Sequence, residues 1–286
     1  MFEYAGVEPR GRTPMTTRDK PPPKTGTLRP DQMAPSDRAS PVTPAQSPGA
    51  VTGAASDPAV ADFIAKIKTL TPAAGAQRGR LIFAMDATLS RQPTWDMALA
   101  VQTEMFAAVK DVGGLDVQLM FFRGAHECKS SRWVSDPDQL AQMMRRVSCQ
   151  GGMTQLGRVL TAARDEAAEK KVNAFVYVGD AMEEHIDSVC ARAGELALLG
   201  VPAFMFQEGR DAKAGIAFKE IARLTRGAHC RFDAGSARQL RDLLTAVAVY
   251  AAGGHKALLA LSQSAGSGGA KLLLTQMQPG QKPRGS

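Results

Sequence analysis

Residues 80–90 read RLIFAMDATLS: five apolar residues in a row, closed by an acid and two hydroxyls at alternate positions. A short apolar run without helical spacing, bounded by polar residues, reads as a strand buried on both faces. Such strands belong to parallel sheets covered by helices on both sides. The polar end then marks the carboxyl end of a strand, which is where open α/β sheets present their binding residues.

Working outward, helical spacing is expected over Thr94–Val112, a second strand over Leu115–Arg123, and a short antiparallel edge strand within His126–Val134. A helix over Asp136–Val147, capped by Ser135 or Asp136, precedes another in which Leu156, Val159, Leu160, Ala163 and Ala167 share one face. Further strands are expected at Asn173–Gly179, Val201–Phe206 and His229–Phe232. Helices are expected over Glu184–Leu199, stopped by Gly200, over Ala214–Thr225 and over Ala237–Tyr250. This alternation predicts a doubly wound, mostly parallel six-stranded α/β sheet of Rossmann-like type, with one antiparallel edge strand and helices on both faces.

The ends read differently. Residues 1–56 hold ten of the 17 prolines and few large apolar side chains, so they are expected to be disordered. Residues 57–77 are expected to hold an amphipathic docking helix, Asp57–Leu70, and a linker. The folded body is then 78–254, and 255–286 is expected as a flexible basic tail, with Lys271–Met277 (KLLLTQM) as an apolar island inside it. That island reads either as a peptide that folds on a partner or as a segment packing transiently on its own domain.

The net charge of +7 lies mostly on these ends: the first 56 residues carry +2 and residues 255–286 carry +4, leaving +1 for the body. A nucleic-acid reader concentrates its charge on a folded face with stacking aromatics, and aromatics are 6% of this chain, so no nucleic-acid partner is expected. Cys128, Cys149, Cys190 and Cys230 form no CxxC pair, which removes the usual zinc spacing. No apolar run is read as reaching the ~20 residues needed to cross a bilayer, and no leader-type stretch is read at the start. A cytoplasmic protein with reduced thiols and no membrane partner is therefore expected. His126, His185, His229 and His255 are dispersed and expected in structural or surface roles.

Three fragments carry chemistry. Asp86, Thr88 and Ser90 project toward one point if the backbone stays extended. Gly151-Gly152-Met153-Thr154 sets a hydroxyl after a glycine turn at a helix start, and Gly179-Asp180 sets a carboxylate at the end of a strand. Each has an ordinary alternative as a helix cap or turn residue. If the first and fourth strands are neighbours, all three meet at one rim. Oxygen-only donors without His or thiolate suit a hard cation: Mg²⁺ first, Mn²⁺ or Ca²⁺ next.

DATLS resembles the DxSxS motif of the metal-ion-dependent adhesion site (MIDAS) in von Willebrand factor type A (vWA) domains. GGMT resembles that family's threonine loop, VGDAMEE its aspartate-bearing third loop, and IARLTRGAHCRF its penultimate helix and last strand. The resemblance covers roughly residues 78–252. It implies that Thr88, Ser90 and Thr154 offer hydroxyls to the ion while Asp86 and Asp180 act directly or through water. It also implies a protein partner whose Asp or Glu completes the coordination, and by family analogy alone an AAA+ ATPase as one such partner. Thr88 stands where the family usually has Ser, and Ala181 where Gly often follows the third-loop Asp; the second change matters if that position needs a positive φ.

The expected function is thus a metal-dependent protein-binding module rather than an enzyme. The alternative is an Mg²⁺-dependent phosphatase or phosphotransferase using an Asp after the first strand as nucleophile. The haloacid-dehalogenase-type pattern wants a second acid two residues on, where this chain has Thr88. Trp95, Glu183 and Glu184 are candidate partner-binding rim residues, with helix–sheet packing of Trp95 and helix-start roles for the two acids as the competing readings.

Overall fold

The computed structural model describes residues 78–277 apart from 111 and 265. The expected disordered segment 1–56 and the docking helix Asp57–Leu70 lie outside the described residues.

Strand β1 (Gly79–Asp86) is the centre of the fold and is buried along its whole length. Leu81, Phe83 and Met85 point to one face of the sheet and Ile82 and Ala84 to the other, as the two-residue period of a strand requires. It pairs in parallel with β2 (Leu115–Arg123) on one side and β4 (Ala174–Gly179) on the other. β3 (Glu127–Ser130) runs antiparallel to β2 at one edge, while β5 (Ala203–Glu208) and β6 (Ala228–Phe232) continue the parallel half. The order β3-β2-β1-β4-β5-β6 is a doubly wound sheet in which the order of strand addition reverses between β1 and β4. The expected fold class is therefore the observed one.

Helices α1 (Gln92–Ala107), α2 (Pro137–Arg145), α6 (Ala237–Ser262) and α7 (Gly268–Met277) cover one face. Helices α3 (Leu156–Glu169), α4 (Ile186–Leu198) and α5 (Ala212–Leu224) cover the other. Of the two capping candidates before α2, Asp136 acts: its carboxylate accepts the Gln139 N–H at 3.0 Å. Gly200, at φ 72°, closes the turn after α4. Cys128 and Cys149 lie in clusters on opposite faces of the sheet, and all four cysteines are free thiols.

The chain does not leave the fold at Gly254. Helical structure continues across a kink there, where Gly254 takes φ 67°, and runs on to Ser262. After a short turn α7 returns along α6, burying Ala270 and Leu273. The residues that read as linker are packing and turn residues. Gly266 supplies φ 80°, the Ser267 hydroxyl donates to Ser262 O at 2.8 Å, and a Cβ on Gly269 would come within 2.3 Å of Asp242 O. KLLLTQM is thus a helix on its own domain. Leu273→Ala should cost about 2–4 kcal/mol in chemical denaturation, whereas a loosely attached tail would leave the midpoint unchanged.

The same continuation revises the reading of apolar runs. At 26 residues, α6 is long and apolar enough to cross a bilayer by length and composition, although half of its most apolar window is buried inside this domain. As a central covering helix it passes so close to β1 that a Cβ on Gly79 would meet Ala251 O at 2.4 Å.

Candidate functional site

Asp86 ends β1 and Asp180 follows β4, so the parallel pairing of these neighbours brings the two carboxylates to the same rim. Thr88 keeps an extended backbone (φ −72°, ψ 161°), but the chain then folds into a single 3₁₀ turn, Leu89–Arg91. Ser90 therefore sits in a tight turn rather than on an extended strand. Its hydroxyl oxygen lies 3.5 Å from that of Thr88.

The threonine loop is tied to both other loops. Gln150 N–H donates to Ala87 O at 3.0 Å, and a Cβ on Gly152 would fall 2.2 Å from Gly124 O, so only glycine admits this approach to the β2–β3 turn. Thr154 is not the cap of α3; Gln155 holds that position. Instead Thr154 and Glu183 form a reciprocal pair: the Thr154 N–H donates to Glu183 Oε2 at 2.9 Å, and the Glu183 N–H donates to Thr154 Oγ1 at 3.1 Å. Ala181 is absent from the positive-φ positions, so its departure from glycine leaves the third loop unstrained.

Asp86, Thr88, Ser90, Thr154 and Asp180 together line one cleft of about 180 Å³, with Leu89, Gly151, Gly152, Ala181 and Glu183 completing its walls. Asp86 is only 2% exposed, and its Oδ1 accepts the Thr88 N–H at 2.7 Å. Burial pushes its carboxyl up to about 6, opposed by the Thr88 hydrogen bonds and reinforced by the neighbouring Asp180 charge. Two carboxylates and three hydroxyls around one small cleft are a hard-cation donor set, and a buried, poorly compensated carboxylate is what a cation relieves. The residues present fit such an ion.

The rim residues behave unequally. Glu183 lines the cleft, though its carboxylate is engaged with Thr154. Glu184 is turned to α3, accepting from Leu156 N–H at 2.5 Å and Gly157 N–H at 3.0 Å, so it satisfies a helix start rather than facing a partner. Trp95 is a correction: it is 1% exposed, edge-on to Phe121 with ring centroids 6.1 Å apart, and its indole N–H donates to Met144 O at 3.1 Å. It is a seam residue between α1, α2 and the sheet, because the first turn of α1 faces inward.

Two neighbours of the cleft escaped the sequence reading. Arg91, directly after Ser90, is buried, with Nη1 2.5 Å from Glu208 Oε2 and Nε 3.4 Å from Asp180 Oδ2. Glu208, also buried, ends β5 and accepts from the Thr94 hydroxyl as well. The rule that pointed to Asp180, an acid at the carboxyl end of a parallel strand, applies equally to Glu208 in AFMFQE.

No protein-family model matches the chain, and no curated protein matches it significantly. Solved structures do. A mutant of the PilB minor pilin from Streptococcus sanguinis superposes with TM-score 0.50 at 9% identity, covering 62% of this chain and 62% of that one. The pilus adhesin SpaC from Lactobacillus rhamnosus GG gives TM-score 0.50 at 10% identity over 63% of this chain and 31% of that one. The SpRpn10 VWA domain is also similar, at TM-score 0.46 and 9% identity, over 57% of this chain and 95% of that one. At these identities the likeness is one of fold.

Proposed function

We propose that this chain is a vWA-type protein-binding module in which Asp86, Thr88, Ser90, Thr154 and Asp180 hold a divalent cation that a partner's Asp or Glu completes. The observation that carries the reading is the convergence of these five oxygen-bearing side chains, from three separate loops, on one cleft at the switch point of the sheet. Mg²⁺ is the preferred ion for an all-oxygen set, with Mn²⁺ or Ca²⁺ as alternatives.

The ion would supply Lewis acidity toward an incoming carboxylate. The chain's own part is to fix the donors. The Thr154–Glu183 pair locks the second loop to the third, and the Gln150–Ala87 bond locks the second to the first. Three of the five donors are neutral hydroxyls, so two carboxylates balance the ion's charge and leave it attractive to a third. Exposed Leu89 and Met153 stand on the loops beside the cleft, where a protein surface would cover them. On this reading the module works in the cytoplasm on a protein assembly, an AAA+ ATPase being one partner class that analogy offers. Phosphoryl transfer from the same Asp86 would need a second acid free to move a proton. The nearest acids of the cleft are instead engaged, Asp180 with Arg91 and Glu183 with Thr154.

Thermal unfolding of the full chain with Mg²⁺ or Mn²⁺ tests the ion. An ion at about 100 times its Kd stabilises the folded state by about 2.7 kcal/mol, which for a domain of this size is a rise of roughly 5–10 °C. EDTA should reverse that rise and release a captured partner. A melting temperature indifferent to Mg²⁺, Mn²⁺ and Ca²⁺ would end the metal-bridged reading. Mg²⁺-dependent hydrolysis of a generic phosphate ester would favour the enzyme instead.

A further inference from the structure

The proposed ion cleft has a buried cation against one of its wall residues, Asp180. The Arg91 guanidinium is 10% exposed and fixed on two sides: Nη1 lies 2.5 Å from Glu208 Oε2, and Nε faces Asp180 Oδ2 at 3.4 Å with no hydrogen-bond partner of its own. Its Nη2 also donates to Ser90 O at 3.3 Å, so the group is held from the same turn that carries the Ser90 hydroxyl. Glu208 is pinned in turn by the Thr94 hydroxyl from the first turn of α1. Arginine does not deprotonate in proteins, so this positive charge is permanent. Counted formally, Asp86, Asp180, Glu183 and Glu208 against Arg91 leave three negative charges, an excess that favours a divalent ion.

Resting on the ion-site reading above, we infer that Arg91 and Glu208 are a fixed charge pair that sets the affinity of the cleft for its cation. Arg91 engages one oxygen of Asp180 and repels an incoming ion, so it loosens the site. Glu208, opposite in sign and behind Arg91, partly cancels that repulsion. Arg91 is also a positioning residue, because its Nε faces the Asp180 carboxylate at 3.4 Å. The consequence is a site whose ion is held by Asp86 and the hydroxyls and only half by Asp180. Such an ion exchanges readily and stays electrophilic toward a partner carboxylate.

The sign of each effect separates this role from a structural one. Titrating the full chain with Mn²⁺ by thermal shift or calorimetry, Arg91→Gln should tighten binding about tenfold, because a unit charge close to the ion is removed. Glu208→Gln should weaken it about threefold, the charge being farther away. Arg91→Lys keeps the charge and should stay nearest wild type. A purely structural pair would lower the metal-free melting temperature in both variants and move the two ion affinities in the same direction or not at all. Either of those affinity results overturns the inference. If Arg91→Gln fails to fold, Glu208→Gln and Arg91→Lys decide, and unchanged Mn²⁺ affinity in Glu208→Gln overturns it. A wild-type protein that ignores Mn²⁺ ends the ion-site reading and this one together, whereas a wild-type response with indifferent variants ends only this one.

Discussion

Asp86→Asn should erase the response of the protein to Mg²⁺ and Mn²⁺ while making the metal-free protein more stable. Asp86 sits at the end of a strand buried along its whole length, is itself 2% exposed, and burial is the largest influence on its carboxyl. A buried carboxylate without a cation is a liability of about 1–3 kcal/mol, and the amide removes the charge while keeping the shape and an acceptor for the Thr88 N–H. The same substitution removes the only acid supplied by the first loop. Donors from the other loops then face the ion with one carboxylate, itself shared with Arg91. The expected result is two unfolding curves that cross: without metal the variant melts higher, and with millimolar Mg²⁺ the wild type does. Partner capture should follow the second condition and vanish in the variant. Parallel curves that never cross, with the variant always lower, would mean that Asp86 is an ordinary structural carboxylate.

How far the sequence alone reaches is visible in particular elements. β2 falls at Leu115–Arg123 as read, and β4 and β6 differ from their expected ends by one residue, because buried apolar runs between turn signals have few alternatives. The three loops of the cleft were legible for a topological reason: once β1 and β4 are neighbours, Asp86, Thr154 and Asp180 have to share a rim. The reach ended where a residue's role depends on something distant in the chain. Arg91 and Glu208 are 117 positions apart, and nothing local to either announces the other. The C-terminal helices failed to register for a different reason. Composition treats Ser and Gly as linker, but between α6 and α7 their small size lets two helices approach, and the apolar stripe of Ala257, Leu258, Ala270 and Leu273 is split by that turn.

Trp95 offers the second large effect, and its direction decides between two readings of one residue. A tryptophan just past the proposed ion loop looks like a contact anchor, for which Trp95→Ala would abolish partner binding and leave unfolding untouched. The structure gives it no exposed surface to offer: it is 1% exposed, it packs edge-on to Phe121 of β2, and its indole N–H satisfies the Met144 carbonyl at the end of α2. Trp95→Ala should therefore cost about 3–5 kcal/mol, a large fraction of the 5–15 kcal/mol available to a whole domain. Trp95→Phe restores much of the volume and loses only the indole hydrogen bond to a carbonyl that still accepts the Val147 N–H at 3.1 Å, so it should cost less, about 0.5–1.5 kcal/mol. Because α1 begins at Gln92, one residue beyond Arg91, loosening this seam also loosens the turn that carries Ser90 and Arg91. Ion affinity in Trp95→Phe should then fall modestly and in step with stability. A Trp95→Phe protein of wild-type stability that has lost its partner would restore the residue to the binding surface.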